Sequence, residues 1–329
     1  MNELKIVALV LPILAPVLAG WLAVRFKVLK ATDSKALTSV YLYLFLPALI
    51  VEHLSTENLT SLFDWPFVLA TLVLMLGIYA AVLFVEKALL RRSLASSTLA
   101  AFAAAKFNAV IVGLPLLLIA LSKQAIATVI INMIVGYFTI LPLTLFLLEV
   151  ARGQKQDEPT EYATVLRQAF RHVCLDPLVI ATVVGILIAA IHLPLPTWLH
   201  QSLGLLANGA VPVPLVAVGM TIAAASYTEY KDSVGEALWI SAIRVIASPI
   251  VAIGVARLFN LSPAYSIALV VSFSLPTSKM AFALAEDHGV YVKAMAAIVT
   301  MTTVSIAIVY PVFIWVCEHL WPGVIQQAN

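Results

Sequence analysis

The chain has 329 residues, 62% hydrophobic and only 11% charged, with a mean hydropathy of +1.04. A soluble domain carries roughly 25% charged residues, so this composition excludes an ordinary soluble domain and identifies a polytopic membrane protein. The formal net charge of +2 says less than where the charges sit.

Apolar sequence begins by Ile6 with no small-residue cleavage site behind it, so the first segment reads as a retained helix and not a signal peptide. Hydropathy predicts ten spans, near 6–24, 36–54, 65–89, 95–121, 124–149, 173–192, 199–223, 236–258, 263–286 and 291–318. The longest polar stretch, Arg152 to Arg171, follows the fifth span and reads as an extramembrane linker, helical in part from Thr160. It splits the chain into a first five-helix repeat (1–151), a linker (152–172) and a second five-helix repeat (173–329).

Landmarks recur in the two halves. Gly20 pairs with Gly185, Pro47 with Pro212, Pro115 with Pro276 and Pro142 with Pro311, at offsets of 165, 165, 161 and 169. Five spans per half is an odd number, so the second half enters the membrane from the opposite side, which makes an inverted repeat. Thirteen Lys and Arg collect on one side, among them Arg25, Lys87, Arg92, Arg152, Lys155 and Lys231, against Lys5, Lys123 and Arg257 on the other. The positive-inside rule makes the thirteen-residue side cytoplasmic and leaves both termini outside. Trp65, Trp198 and Trp321 then mark the outer interface.

Two spans are interrupted. Ala95–Leu121 carries Lys106 and Asn108 well inside, followed by Gly113 and Pro115, and a break is expected near Gly113–Pro115 because proline lacks the amide hydrogen. Ala264–Glu286 carries Ser272, Ser274, Pro276, Thr277, Ser278 and Lys279 near its middle. Interrupted spans at corresponding places in two halves are the best sequence pointer to a transporter's binding site.

Asn108–Pro115 (NAVIVGLP), Leu275–Val290 (LPTSKMAFALAEDHGV) and the Arg-x4-Pro element Arg244–Pro249 (RVIASP) are similar to the patterns of the fourth, ninth and eighth helices of the auxin efflux carrier family. Asp176–Gly185 and the run through Pro194, Pro196 and Gly219 resemble its sixth and seventh helices. The family includes plant PIN-type carriers and bacterial malonate and malate permeases. The resemblance implies an all-α fold of ten helices, with broken helices 4 and 9 crossing at their prolines. It implies a scaffold of helices 1, 2, 6 and 7, often dimeric, and a transport domain of helices 3–5 and 8–10 that moves like an elevator. Lys279 stands where plant carriers have an apolar residue, and the short linker resembles bacterial members.

Lys106 lies about 16 Å into its span at 1.5 Å per residue, too deep to snorkel easily. Charge at that depth faces the protein interior, either as positive potential for an anion or as a partner to another helix. Lys279 sits about two turns from the cytoplasmic end, so a site role and snorkelling both remain open. Asn108 can donate to a carboxylate or satisfy backbone bared by the break. Gly113, Pro115 and Pro276 shape the crossing, where half-helix N-termini favour anions. Ser274, Thr277 and Ser278 offer hydroxyls, with intrahelical bonding as the plain alternative for each. Arg244 is expected to bind within the transport domain more than to touch substrate, and Asn132 to join helices more than to line the cavity. Glu52 and Asp176, acids near membrane ends, could carry protons, with interfacial solvation the plainer reading, and no deep acid is evident.

Two lysines, one asparagine and two helix N-termini ask for an anion, and a small dicarboxylate could meet both lysines. Malonate or malate therefore ranks above an aromatic monocarboxylate such as auxin, and a membrane receptor or sensor for a small anion is the rival of another class. No enzyme signature is present: there is no His-Glu-x-x-His, Gly-x-Ser-x-Gly or phosphate loop. Cys174 and Cys317 fit no metal or disulfide framework. No cofactor, metal or nucleic acid is called for. The expected partners are the bilayer of the cytoplasmic (inner) membrane, a small organic anion, H⁺ or Na⁺ as co-substrate, and a second copy in a homodimer.

Overall fold

The computed structural model describes residues 3–55, 64–122, 124–156, 167, 170, 171, 173–224 and 233–325, without the side chains of 3–10 and 154–156. Most of the 152–172 linker, the helix expected from Thr160, and the charged side chains of Lys5, Lys123, Lys155 and Lys231 lie outside the described residues. Among those described, regular structure is helical throughout, apart from one isolated antiparallel bridge between Phe107 and Thr277.

The helices are α1 (Glu3–Arg25), α2 (Ala31–Leu54), α3 (Trp65–Leu89), α4 (Leu94–Ala105), α5 (Ala109–Leu121), α6 (Gln124–Gly153), α7 (Pro177–Ala190), α8 (Thr197–Ala224), α9 (Val234–Leu258), α10 (Pro263–Ser274), α11 (Lys279–Asp287) and α12 (Val292–Leu320). Six of them, α2, α3, α6, α8, α9 and α12, are long and apolar enough to cross a membrane. Large apolar side chains cover the outside: Leu205 is 76% exposed, Leu258 75% and Ile308 72%. In water such a surface would drive association, whereas lipid tails solvate it.

Starts are written in the sequence. Asp64, Ser93, Asp176 and Ser262 each turn a side-chain oxygen onto the first amides of α3, α4, α7 and α10. Inside four of the helices, α2, α5, α6 and α9, a proline follows the same local feature. Five-residue π turns at Tyr41–Phe45, Ala109–Gly113, Gly136–Ile140 and Ile243–Ala247 each end two residues before a proline: Pro47, Pro115, Pro142 and Pro249. A wider turn relieves the clash between the proline ring and the preceding carbonyl.

This corrects the expected break at Gly113–Pro115. The Gly113 amide donates to the Asn108 carbonyl at 3.0 Å and α5 runs on through Pro115. The chain leaves the helix earlier, at Lys106–Asn108, where Lys106 is extended and ends α4. The second interrupted span opens at Leu275–Ser278, between α10 and α11, around Pro276 as expected.

Two groups of helices pack internally. α1 runs along α8, and α2 packs against α7 and α8. The α1–α8 contact depends on glycine, because a Cβ on Gly20 would strike the Val216 carbonyl and one on Gly219 the Val17 carbonyl. In the other group α3 packs on α4, α4 on α6, α9 on α10 and α12, and α10 on α12. Tyr41 of α2 ties the groups together by donating to the Val110 carbonyl of α5 at 2.7 Å.

Candidate functional site

The two breaks meet. The Asn108 amide donates to the Pro276 carbonyl at 2.9 Å, and the Ser278 amide donates to the Lys106 carbonyl at 3.0 Å. Backbone freed by each interruption is thus satisfied by the other, which is what a helix break within a membrane requires. The α5 and α11 N-termini open from this joint. Asn108 caps α5 by accepting from the Ile111 amide at 3.1 Å, and Ser278 caps α11 by accepting from the Met280 amide at 3.3 Å.

Arg244 holds the opposite ends. It is wholly buried and donates to the carbonyls of Ala104 (2.7 Å) and Ala105 (3.2 Å) at the end of α4, and of Phe273 (2.6 Å) and Leu275 (3.2 Å) at the end of α10. Its guanidinium lies 5.1 Å from the Phe107 ring centroid and 5.3 Å from that of Phe273. One cation therefore serves the negative ends of both half-helices. The contacts that Arg244 makes lie inside the bundle, with carbonyls as the acceptors.

The remaining expected residues divide by whether their polar groups are spent. The Thr277 hydroxyl donates to the Ala103 carbonyl at 2.9 Å, while its amide donates to Thr302 Oγ1 at 3.2 Å. The Ser274 hydroxyl donates to the Val271 carbonyl at 2.8 Å. Each hydroxyl has one hydrogen, so neither Ser274 nor Thr277 keeps a donor for a ligand. Asn132 donates to Ser272 Oγ at 2.8 Å and joins α6 to α10, while its Oδ1 stays buried and unpartnered. Gly113 and Pro115 lie buried in α5, with the Leu275 side chain against Gly113.

The lysines are different. Lys106 is 5% exposed, and Lys279, the first residue of α11, is partly exposed. Among the described residues neither forms a salt bridge. Lys106 reaches α6, where its Nζ lies 5.0 Å from the Tyr137 ring centroid. It fits there because residue 136 is glycine; a Cβ at Gly136 would overlap Lys106 Nζ.

One acid escapes the sequence reading, and another is read there as an interfacial acid that could carry protons. Asp176, expected to be solvated, accepts from the Tyr137 hydroxyl at 2.6 Å, caps α7 by accepting from the Leu178 amide at 2.9 Å, and lies near enough for its charge to act on Lys106. Glu86, at the end of α3, is fully buried; Arg92 pairs with it at 3.3 Å and with Glu236 at 2.5 Å. In sequence Asp176 looked like an ordinary span-end charge, and no motif singled out Glu86. The signal for Asp176 was the Asp-Pro pair, which marks a capped helix start. A cavity of about 1060 Å³ opens where α6 ends and α7 begins, with Leu42, Ala95, Arg152, Arg171, Asp176 and His288 in its wall.

The arrangement is one of broken helices around a buried cation, Lys106, that forms no salt bridge among the described residues. The sequence profile of the family described as "Membrane transport protein" matches residues 5–314. The chain belongs to that family. It is the auxin efflux carrier family that the motifs resemble, and it is a family of membrane transport proteins. Relatives within it include a "Putative malonate transporter" of Rhizobium meliloti, 25% identical over 91% of this chain and 92% of its own length. An uncharacterized transporter of Methanocaldococcus jannaschii is 22% identical over 93% of this chain and 97% of its own. The uncharacterized transporter YfdV of Escherichia coli is 22% identical over 93% of this chain and 96% of its own. The chain is a multi-pass membrane protein of this family.

Proposed function

We propose that the protein is a secondary transporter of small dicarboxylates of the malonate–malate class across the cytoplasmic membrane. The observation that carries this reading is Lys106: a buried ammonium, without a salt bridge among the described residues, beside the joint of two broken helices. A buried charge lacking its partner is costly, and an anionic solute relieves that cost. The N-termini of α5 and α11 add positive potential, and Lys279 supplies a second cation for a second carboxylate. The name of the Rhizobium meliloti relative agrees with this class.

In this proposal the broken pairs α4/α5 and α10/α11 each count as one span, giving ten spans in two inverted repeats with both termini outside. The group α1, α2, α7 and α8 is the scaffold and the site of dimerisation, and the other group is the transport domain, which moves as an elevator. The cavity beside Asp176 then opens to the cytoplasm. Coupling to H⁺ or Na⁺ belongs to the same proposal. Protein in liposomes should accumulate radiolabelled malonate or malate under an imposed pH, Na⁺ or voltage gradient, and the gradient that works names the coupling. Uptake of only a neutral, cationic or aromatic monocarboxylate solute, or binding without uptake, overturns the dicarboxylate-carrier reading; the last result favours a sensor.

A further inference from the structure

Three groups on three helices converge beside the joint. Lys106 ends α4, Tyr137 lies in the π turn of α6, and Asp176 caps α7. Asp176 uses its two oxygens differently: Oδ1 accepts from the Leu178 amide at 2.9 Å and Oδ2 accepts from the Tyr137 hydroxyl at 2.6 Å. The Tyr137 ring in turn lies 5.0 Å from Lys106 Nζ. Asp176 also lines the cavity of about 1060 Å³, so the one carboxylate near Lys106 is also one that solvent can reach.

We infer that Tyr137 and Lys106 form a carboxylate-binding subsite, and that the Asp176 carboxylate occupies it in this state as an internal ligand. An incoming carboxylate offers the same chemistry: two acceptor oxygens for the Tyr137 hydroxyl and a negative charge for the Lys106 ammonium. It arrives by the cavity that Asp176 lines and displaces the Asp176 oxygen from Tyr137. Asp176 keeps its capping bond to Leu178 throughout, so displacement leaves α7 intact. Because α6 and α7 belong to different packed groups, exchange of the internal for the external carboxylate also releases a link between them. This inference rests on the anion reading for the choice of malonate as probe, but the subsite is defined by its own three residues.

An internal competitor lowers apparent affinity in proportion to its occupancy. Asp176→Ser keeps a capping oxygen and vacates the position against Tyr137; Asp176→Gly vacates it too should the first variant fail to fold, since glycine is accepted at a helix start. Melting of purified full-length protein in detergent is measured against sodium malonate, and separately against sodium formate with equal sodium chloride as control. Formate is the smallest carboxylate and fits the position that the aspartate leaves. The expected result is malonate binding about tenfold tighter in the variant than in the parent, together with a formate-dependent rise in melting temperature that the parent lacks. A part that is only structural would weaken binding, the opposite sign. The inference is overturned if the variant gains no formate-dependent stabilisation, or if malonate binds the parent and binds the variant equally or more weakly. Should malonate bind neither protein, the dicarboxylate reading fails and the formate comparison alone decides the subsite.

Discussion

Charge at single residues sets what the joint can hold. Lys106 and Arg244 are both buried cations, yet they differ in what faces them. Arg244 spends four of its five N–H donors on carbonyls and lies against two aromatic rings, which fits a part in holding the bundle. Lys106 faces the Tyr137 ring and forms no salt bridge among the described residues, and in the proposed function it meets the solute. Lys106→Ala should therefore weaken dicarboxylate binding by about 2–5 kcal/mol, the usual cost of truncating one partner of a buried charge pair, with little loss of folded protein. Lys279→Ala should hurt dicarboxylates more than monocarboxylates; isothermal titration with each class checks both. Arg244→Met should show the reverse pattern. It leaves buried carbonyls unpaired, each costing about 1–3 kcal/mol, and should appear as a lowered melting temperature and poor recovery before any change in affinity can be read. Arg244→Lys restores charge without the planar fork and should recover stability only in part.

At the scale of the element, the decisive features are the two interruptions and the π turns. Asn108 and Ser278 play matching parts: each follows the end of one half-helix and caps the next with its own side chain. Asn108→Ala removes one cap and should cost about 1 kcal/mol of stability, while the main-chain bond to Pro276 stays. Gly136 is the first residue of the π turn in α6, and its missing Cβ leaves room for Lys106. Gly136→Ala should push the ammonium aside and reduce anion affinity without unwinding α6, whose helicity alanine favours. Circular dichroism and malonate titration on the same sample separate the two effects.

For the whole molecule, the elevator proposal turns on relative movement of the two packed groups. Tyr41 and Val110 touch across the boundary between them. A reducible thiosulfonate cross-link between cysteines at Tyr41→Cys and Val110→Cys, in a background with the exposed Cys174 replaced, should stop uptake, and reduction should restore it. Full-rate transport by cross-linked protein would rule out motion between these groups. The proposed topology is checked by single thiols placed in 152–172, which should react with an impermeant reagent only after the cells are opened.

Much of this was legible along the chain, because a bilayer imposes strict rules on what may cross it. Length and hydropathy placed helices to within a few residues, as at 65–89 for α3 and 124–149 for α6. The depth of Lys106 and the prolines marked the interrupted segments. The exact break was not legible. A proline inside a helix reads as a stop, but a π turn before Pro115 absorbs it, and only the antiparallel pairing with Leu275–Ser278 decides that the chain opens at Lys106–Asn108. Sequence leaned toward an internal contact for Arg244, but it could not say what faces either cation. Which of them is satisfied depends on carbonyls more than 100 residues away for one and on a glycine in another helix for the other. Asp176 looked like a solvated span-end acid for the same reason: its partner Tyr137 is 39 residues distant in the chain. Sequence by itself determined the bilayer as solvent, the helices and the family. The tertiary structure decided which buried charges are spent, because compensation of a charge is a property of neighbours in space.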